Sequence, residues 1–177
     1  MSTGFSFVRY SISEFVRELT TPTYCYSTEI AQKVQREMTN CNFQESLAFV
    51  YEKLRHYHAG CCFNYACSLA YCMMQANMRS TIAIVTTPEP TPDDPTAQKV
   101  SVAYVADGEI YVCDIVEYVK GNMSYDDCCC IPFDEFQENN GPAILHDCLN
   151  TTRHILWVLY DHAEKLSPEE FVSREEN

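Results

Sequence analysis

One stretch of the chain, residues 60–85, constrains the fold more than any other. It opens with glycine and two cysteines and continues into a run of apolar residues at helical spacing, namely Phe63, Ala66, Cys67, Ala70 and Met74. That spacing predicts one buried face of a helix. A short polar turn and the β-branched run Thr81–Val85 follow, which predicts a buried strand. The stretch therefore indicates a packed helix that leads directly into the core of a sheet.

Cys62 falls in the first turn of this predicted helix. Unpaired backbone N–H groups and the positive end of the helix dipole favour a thiolate there. The position therefore suits a nucleophilic cysteine. It equally suits a small buried hydrophobe, because cysteine is among the residues most often buried.

Length and composition indicate one soluble domain. The chain has 177 residues, of which 46% are hydrophobic, enough to bury a single core. We divide residues 1–177 into an N-terminal helical segment (1–43), a core (44–118) and a C-terminal strand and helix (119–177). The net charge of −13 argues against nucleic acid and anionic membranes as partners, since both require clustered Lys and Arg.

Eleven cysteines raise the question of disulfides or metal. The N-terminus lacks the basic segment and apolar run of a signal peptide, and no segment has the length to span a bilayer. We therefore expect a cytoplasmic protein with reduced thiols. The pair Cys61-Cys62 and the run Cys128-Cys129-Cys130 are contiguous, and no C-x-x-C pair is present, so we expect neither a metal site nor a cofactor. The role of the triple cysteine and the oligomeric state stay open.

The elements around the central stretch follow from periodicity and turn residues. A capping-box spacing at Ser11 predicts a short helix up to Thr20, and apolar stripes predict further helices over 29–38 and 44–56. Prolines make 86–95 an exposed loop, and alternating residues around Asp107-Gly108 predict a hairpin. The remaining predictions are a short helix at Phe133–Phe136, a buried strand at Ile155–Tyr160 and a terminal helix from Ser167.

The residues from Gly60 to Ala66, the helix to Ala76 and the strand from Thr81 resemble the transglutaminase-like branch of the papain-type cysteine enzymes. In that branch the next motif is a hairpin in which a histidine opens the first strand and an aspartate closes the second. The matching stretch here runs from Lys99 to Asp114. The resemblance covers about residues 44–118 and implies an α+β fold of transglutaminase-like, papain-type architecture, with a central cysteine-bearing helix packed on an antiparallel sheet.

The resemblance implies catalytic roles for three residues. Cys62 is the nucleophile, Asp114 is the orienting carboxylate, and Lys99 occupies the position of the general-base histidine. Lysine accepts a proton near neutral pH only if burial lowers its pKa by several units. In an active enzyme Lys99 would hold the Cys62 thiolate, Asp114 would fix Lys99, and the loop 88–97 would form one rim of the cleft.

Three functions remain open at this level. The first is thiol-dependent acyl transfer on amide bonds of a protein or peptide, of the protease, glutamine deamidase or transglutaminase type. The second is a catalytically inactive papain-fold protein that binds a protein or peptide partner, and the third is a cysteine-rich domain without an active site. The histidines that would replace the missing base are His56, His58, His146, His154 and His162.

Overall fold

The computed structural model describes residues 3–38, 46–148 and 164–176. Its helices are α1 (Thr3–Thr20), α2 (Thr28–Met38), α3 (Ser46–Tyr57), α4 (Cys62–Gln75), α5 (Ile115–Val119), α6 (Tyr125–Cys128), α7 (Phe133–Asn140) and α8 (Pro168–Ser173). Its strands are β1 (Cys25–Tyr26), β2 (Ala59–Gly60), β3 (Ile82–Pro88), β4 (Gln98–Ala106), β5 (Glu109–Cys113), β6 (Ile131–Pro132), β7 (Ile144–Asp147) and β8 (Lys165–Leu166). Short 3-10 turns lie at Arg79–Thr81 and Arg174–Glu176.

Six strands form the main sheet, in the order β6-β5-β4-β3-β7-β8 with every neighbouring pair antiparallel. Helix α4 packs across β3 and β4, at the centre of this sheet. The strands β1 and β2 form a separate parallel pair beside the start of α4. The predicted α+β arrangement, a cysteine-bearing helix on an antiparallel sheet, is confirmed.

The sheet is buried on both faces, which explains why β3 and β4 are almost continuously apolar. Side chains alternate between the faces along each strand. Val100, Val102 and Tyr104 of β4 pack in one apolar cluster with α4. The alternate residues Ala103 and Val105 pack in a second cluster, which includes aromatic side chains of α7 and α8.

The predicted hairpin is present, with its turn at Asp107 and Gly108. Both residues have positive φ, 55° and 76°, as the tight turn between two twisted strands requires. The carboxylate of Glu175 accepts hydrogen bonds from the backbone N–H of Asp107 (2.8 Å) and of Gly108 (2.7 Å). The C-terminal turn therefore holds the tip of the hairpin.

We expect Glu175→Ala to lower the free energy of unfolding by roughly 1 kcal/mol, because two exposed backbone donors lose a charged acceptor. Urea unfolding followed by circular dichroism measures the change. Glu169→Ala, an exposed acidic residue of α8, is the matched control. Equal effects of the two substitutions would contradict a specific role for Glu175.

Several boundaries differ from the sequence predictions. Helix α1 begins at Thr3 rather than near Ser11, because its buried stripe includes Val8 as well as Ile12. Strand β3 continues to Pro88, so the exposed loop begins later than predicted; proline is tolerated there because it ends the strand. Helices α5 and α6 and the pair β1-β2 were not predicted. The predicted strand 155–160 lies outside the described residues.

Within the described ranges, none of the helices combines the length and the apolar character needed to cross a membrane. None of the cysteines in this part of the chain forms a disulfide.

Candidate functional site

Helix α4 begins at a reciprocal cap formed by Cys61 and Asn64. The backbone N–H of Cys61 donates to Asn64 Oδ1 at 2.9 Å, and the Cys61 sulfur accepts from the backbone N–H of Asn64. Such a cap satisfies N–H groups that the first turn leaves without partners. It fixes two adjacent thiols, those of Cys61 and Cys62, at the mouth of the helix.

The thiol of Cys62 contacts the edge of β4. Its Sγ accepts from the backbone N–H of Val100 at 3.4 Å and lies 4.0 Å from the carbonyl oxygen of Gln98. These two residues flank Lys99, on the part of β4 that extends beyond its pairing with β5. The structure therefore brings Cys62 to the strand segment that carries Lys99.

The two neighbouring thiols differ in how readily they ionise. The hydrogen bond from Cys62 and the backbone N–H groups of Phe63 and Asn64 lower the pKa of Cys61 to about 7, against the opposing effect of burial. The interaction with Cys61 and burial raise the pKa of Cys62 above its usual range. Cys61, the capping residue, is therefore the thiol of the pair that ionises more readily. Assignment of Cys62 as the nucleophile stays a prediction.

The side chain of Lys99 is enclosed by polar groups. Its ammonium nitrogen lies 2.6 Å from Asp114 Oδ2, 3.3 Å from Glu117 Oε1 and 3.4 Å from Asn140 Oδ1. Only 9% of the Lys99 side chain and 2% of the Asp114 side chain are exposed. The structure thus brings Lys99 and Asp114 into direct contact, and these three partners match the three N–H bonds of the ammonium group.

These contacts keep Lys99 charged. Burial acts to lower its pKa, but the carboxylates of Asp114 and Glu117 outweigh burial, and the pKa of Lys99 lies above its ordinary value. Burial raises the pKa of Asp114 more than the ammonium lowers it. We take Lys99 as protonated and Asp114 as ionised at neutral pH, because contact at 2.6 Å favours the ion pair.

The ammonium of Lys99 and the thiol of Cys62 lie on different sides of the sheet. Val100 faces α4, so Lys99 faces the opposite layer. Consistent with this, Lys99 Nζ lies 5.9 Å from the centre of the Phe136 ring in α7. The contacts of Cys62 are to backbone groups beside Lys99 and do not include the ammonium.

Sequence reasoning missed four residues of this cluster. Glu117 lies three positions after Asp114, and residues three apart in a helical turn are neighbours, so its closeness to Asp114 could have been predicted. No sequence pattern indicates that Asn140, on α7, lies near Lys99. Thr87 pairs directly with Lys99 across the strands, and Ser101 lies two positions along the same face. The hydroxyl oxygens of Thr87 and Ser101, and Asp114 Oδ1, are buried without hydrogen-bond partners among the described residues.

No described histidine contacts Cys62. His146 lies on β7, where its Nε2 is 2.9 Å from Thr86 Oγ1. The ring of His58 is tilted against the ring of Tyr24, with their centres 4.9 Å apart, and the ring of His56 packs edge-on against Tyr57. His154 and His162 lie outside the described residues.

We call Tyr26, Glu89 and Glu117 the rim: Tyr26 lies within electrostatic range of both thiols and of both carboxylates. Burial, the two cysteines and the carboxylates of Glu89 and Glu117 raise the pKa of Tyr26 to about 12. Tyr26 is 37% exposed, and the ammonium of Lys120 lies over its ring, 4.4 Å from the ring centre. The rim therefore combines two carboxylates with a partly exposed aromatic ring that already holds one cation on its face.

Comparison with protein-family models, with curated proteins and with solved structures finds no match to this chain. Any assignment must therefore be argued from the site itself.

Proposed function

We propose that this protein is a non-catalytic, peptide-binding member of the transglutaminase-like, papain-type group. One observation supports the proposal: Lys99, which the resemblance aligns with the general-base histidine, carries an ammonium that pairs with Asp114 at 2.6 Å and faces away from the Cys62 thiol. Acyl transfer by a cysteine requires a group that accepts the thiol proton near neutral pH. A protonated lysine held by two carboxylates does not accept one.

The order and placement of the elements support the family proposal. Helix α4 begins at Cys62, Lys99 lies near the start of β4, and Asp114 directly follows β5. Strands β3, β4 and β5 are neighbours in the sheet. This is the helix and hairpin arrangement that the sequence resemblance implies.

The rim indicates the chemistry of the partner. Glu89 and Glu117 lie near Tyr26, Glu89 also lies near Cys62, and the whole chain carries a net charge of −13. Opposite charge steers association and penalises acidic competitors. The partner is therefore a protein or peptide segment with Lys or Arg, which the carboxylates attract, and a neighbouring apolar residue, which packs against the exposed part of Tyr26.

We expect a short fluorescent peptide of alternating Arg and Leu to bind the protein, with affinity that falls as salt rises. Glu89→Lys should weaken binding about tenfold or more, since a charge at the rim becomes repulsive. Fluorescence anisotropy measures both effects. Glu169→Lys, which places the same charge on exposed α8, is the control. Absence of binding, or equal weakening by both substitutions, contradicts the proposal.

The ionisation of Cys61 favours a second candidate, thiol-dependent acyl transfer by the Cys61-Cys62 pair. We expect iodoacetamide to alkylate Cys61 with a midpoint near pH 7, following its lowered pKa of about 7, while Cys62 reacts only at alkaline pH. Mass spectrometry resolves the two sites. Cys61→Ser should abolish the neutral-pH reaction, and Cys62→Ala should move its midpoint upward because the hydrogen bond from Cys62 is lost.

Peptide thioesters separate the two functions. The binding proposal predicts no acyl adduct on either cysteine and no release of product beyond the uncatalysed rate. An acyl adduct that turns over would establish the second candidate and overturn the first.

A further inference from the structure

Lys99 and Asn140 meet in an arrangement of reactive groups that the binding proposal does not use. The amine nitrogen of Lys99 lies 3.4 Å from the carboxamide oxygen of Asn140, with two carboxylates in contact with the same nitrogen. We propose that Lys99 and Asn140 form an intramolecular amide bond that covalently joins β4 to α7.

The reaction needs no external reagent. The Lys99 ammonium gives one proton to Asp114, and the free amine attacks Cγ of Asn140. A bond forms between Nζ and Cγ, the Cγ–Nδ2 bond breaks, and the second proton lost by Nζ passes to the departing nitrogen. Ammonia leaves, one proton remains on Asp114, and no electrons are transferred.

The local geometry favours this step. The Nδ2 of Asn140 donates to the carbonyl oxygen of Phe136 at 2.9 Å, which turns the carboxamide oxygen toward Lys99. Holding two reactants together in this way corresponds to effective concentrations of roughly 10⁵ M or more in well-oriented systems. Asp114 and Glu117 both contact the Lys99 nitrogen, so either carboxylate can accept the proton that the ammonium loses before attack.

The protonation of Lys99 limits the rate of amide formation, whereas the raised pKa of Asp114 favours the amide product. Lys99 is protonated at neutral pH, so attack by the free amine is slow, but a single event per chain suffices. Burial raises the pKa of Asp114, which favours the neutral carboxyl group that the reaction leaves there. The product also replaces a buried charge with a neutral amide.

The intact mass of the purified wild-type protein tests the proposal. We expect it to be lower than the sequence mass by one ammonia molecule. Trypsin does not cleave after an amidated lysine, so digestion should yield a branched peptide that joins residues 80–120 to residues 121–153. Lys99→Arg and Asn140→Ala should restore the sequence mass, and Asn139→Ala, which changes the preceding exposed amide, should retain the loss.

Three results would overturn the proposal. A wild-type protein at the sequence mass means that the bond does not form. Loss of water rather than ammonia places the bond at Asp114 or Glu117. Loss of ammonia that persists in Lys99→Arg identifies cyclisation at Asn140-Gly141 instead. The branched peptide is sought in the wild-type protein, so the test does not depend on the folding of a variant. Peptide binding is measured in a separate assay, so failure of the amide bond and failure of the binding proposal are distinguishable.

Discussion

Replacing Gly60 with alanine is expected to lower the free energy of unfolding by about 2–4 kcal/mol, since it combines overpacking with loss of a helix cap. A Cβ at this position would lie 2.7 Å from the Cβ of Asn64 and 2.8 Å from its Cγ and Oδ1. Asn64 would have to move, and it is the residue that accepts from the Cys61 N–H. Glycine is required at position 60 because the Asn64 side chain occupies the space that a Cβ would take.

Asn64→Ala is the matched control for this prediction. It removes the capping oxygen without the clash and should cost about 1 kcal/mol. Urea unfolding of both variants separates the two contributions. A Gly60→Ala protein no less stable than Asn64→Ala would show that the backbone at residue 60 shifts freely. Alkylation adds a second measurement: displacement of Asn64 disturbs the cap, so the pKa of Cys61 should rise in Gly60→Ala.

The sequence predicted the centre of the fold because that part depends on local patterns. The apolar face of α4 repeats at helical spacing, and the hairpin combines alternation with an Asp-Gly turn, so both were predicted close to their observed positions. Strand β3 was predicted too short because prolines mark a loop without fixing where the preceding strand ends. Helices α5 and α6 have too few residues to show a helical period.

The surroundings of Lys99 could be predicted only in part. Asp114 was named through the family resemblance, which implies an aspartate at the end of the second hairpin strand. Asn140 is separated from Lys99 by 41 positions, and only the packing of α7 on the sheet places it there. Cys61 ionises more readily than Cys62 because Cys61 is the residue that caps helix α4. Sequence patterns do not fix the first residue of a helix, so they could not tell the two adjacent thiols apart.

In an Asn140→Ala background, where no amide can form and Lys99 keeps its ammonium, Lys99→Ala is expected to lower the free energy of unfolding by about 3–5 kcal/mol near neutral pH, because it leaves a buried carboxylate without its cation. Asp114 has 2% of its side chain exposed, and its Oδ1 has no partner among the described residues. The double variant Lys99→Met with Asp114→Leu should recover most of the loss, since replacing both charges by apolar groups of similar volume is often neutral.

The pH dependence identifies the source of this loss. Burial already raises the pKa of Asp114 above its unfolded value, and removing the ammonium raises it further. A carboxyl group whose folded pKa is raised adds stability at low pH that is lost as pH increases through the folded pKa. Lys99→Ala should therefore be less destabilising at a pH of about 4 than near neutrality. Urea unfolding at both pH values measures the difference, and a loss that does not change with pH would show that the charge on Asp114 is not its cause.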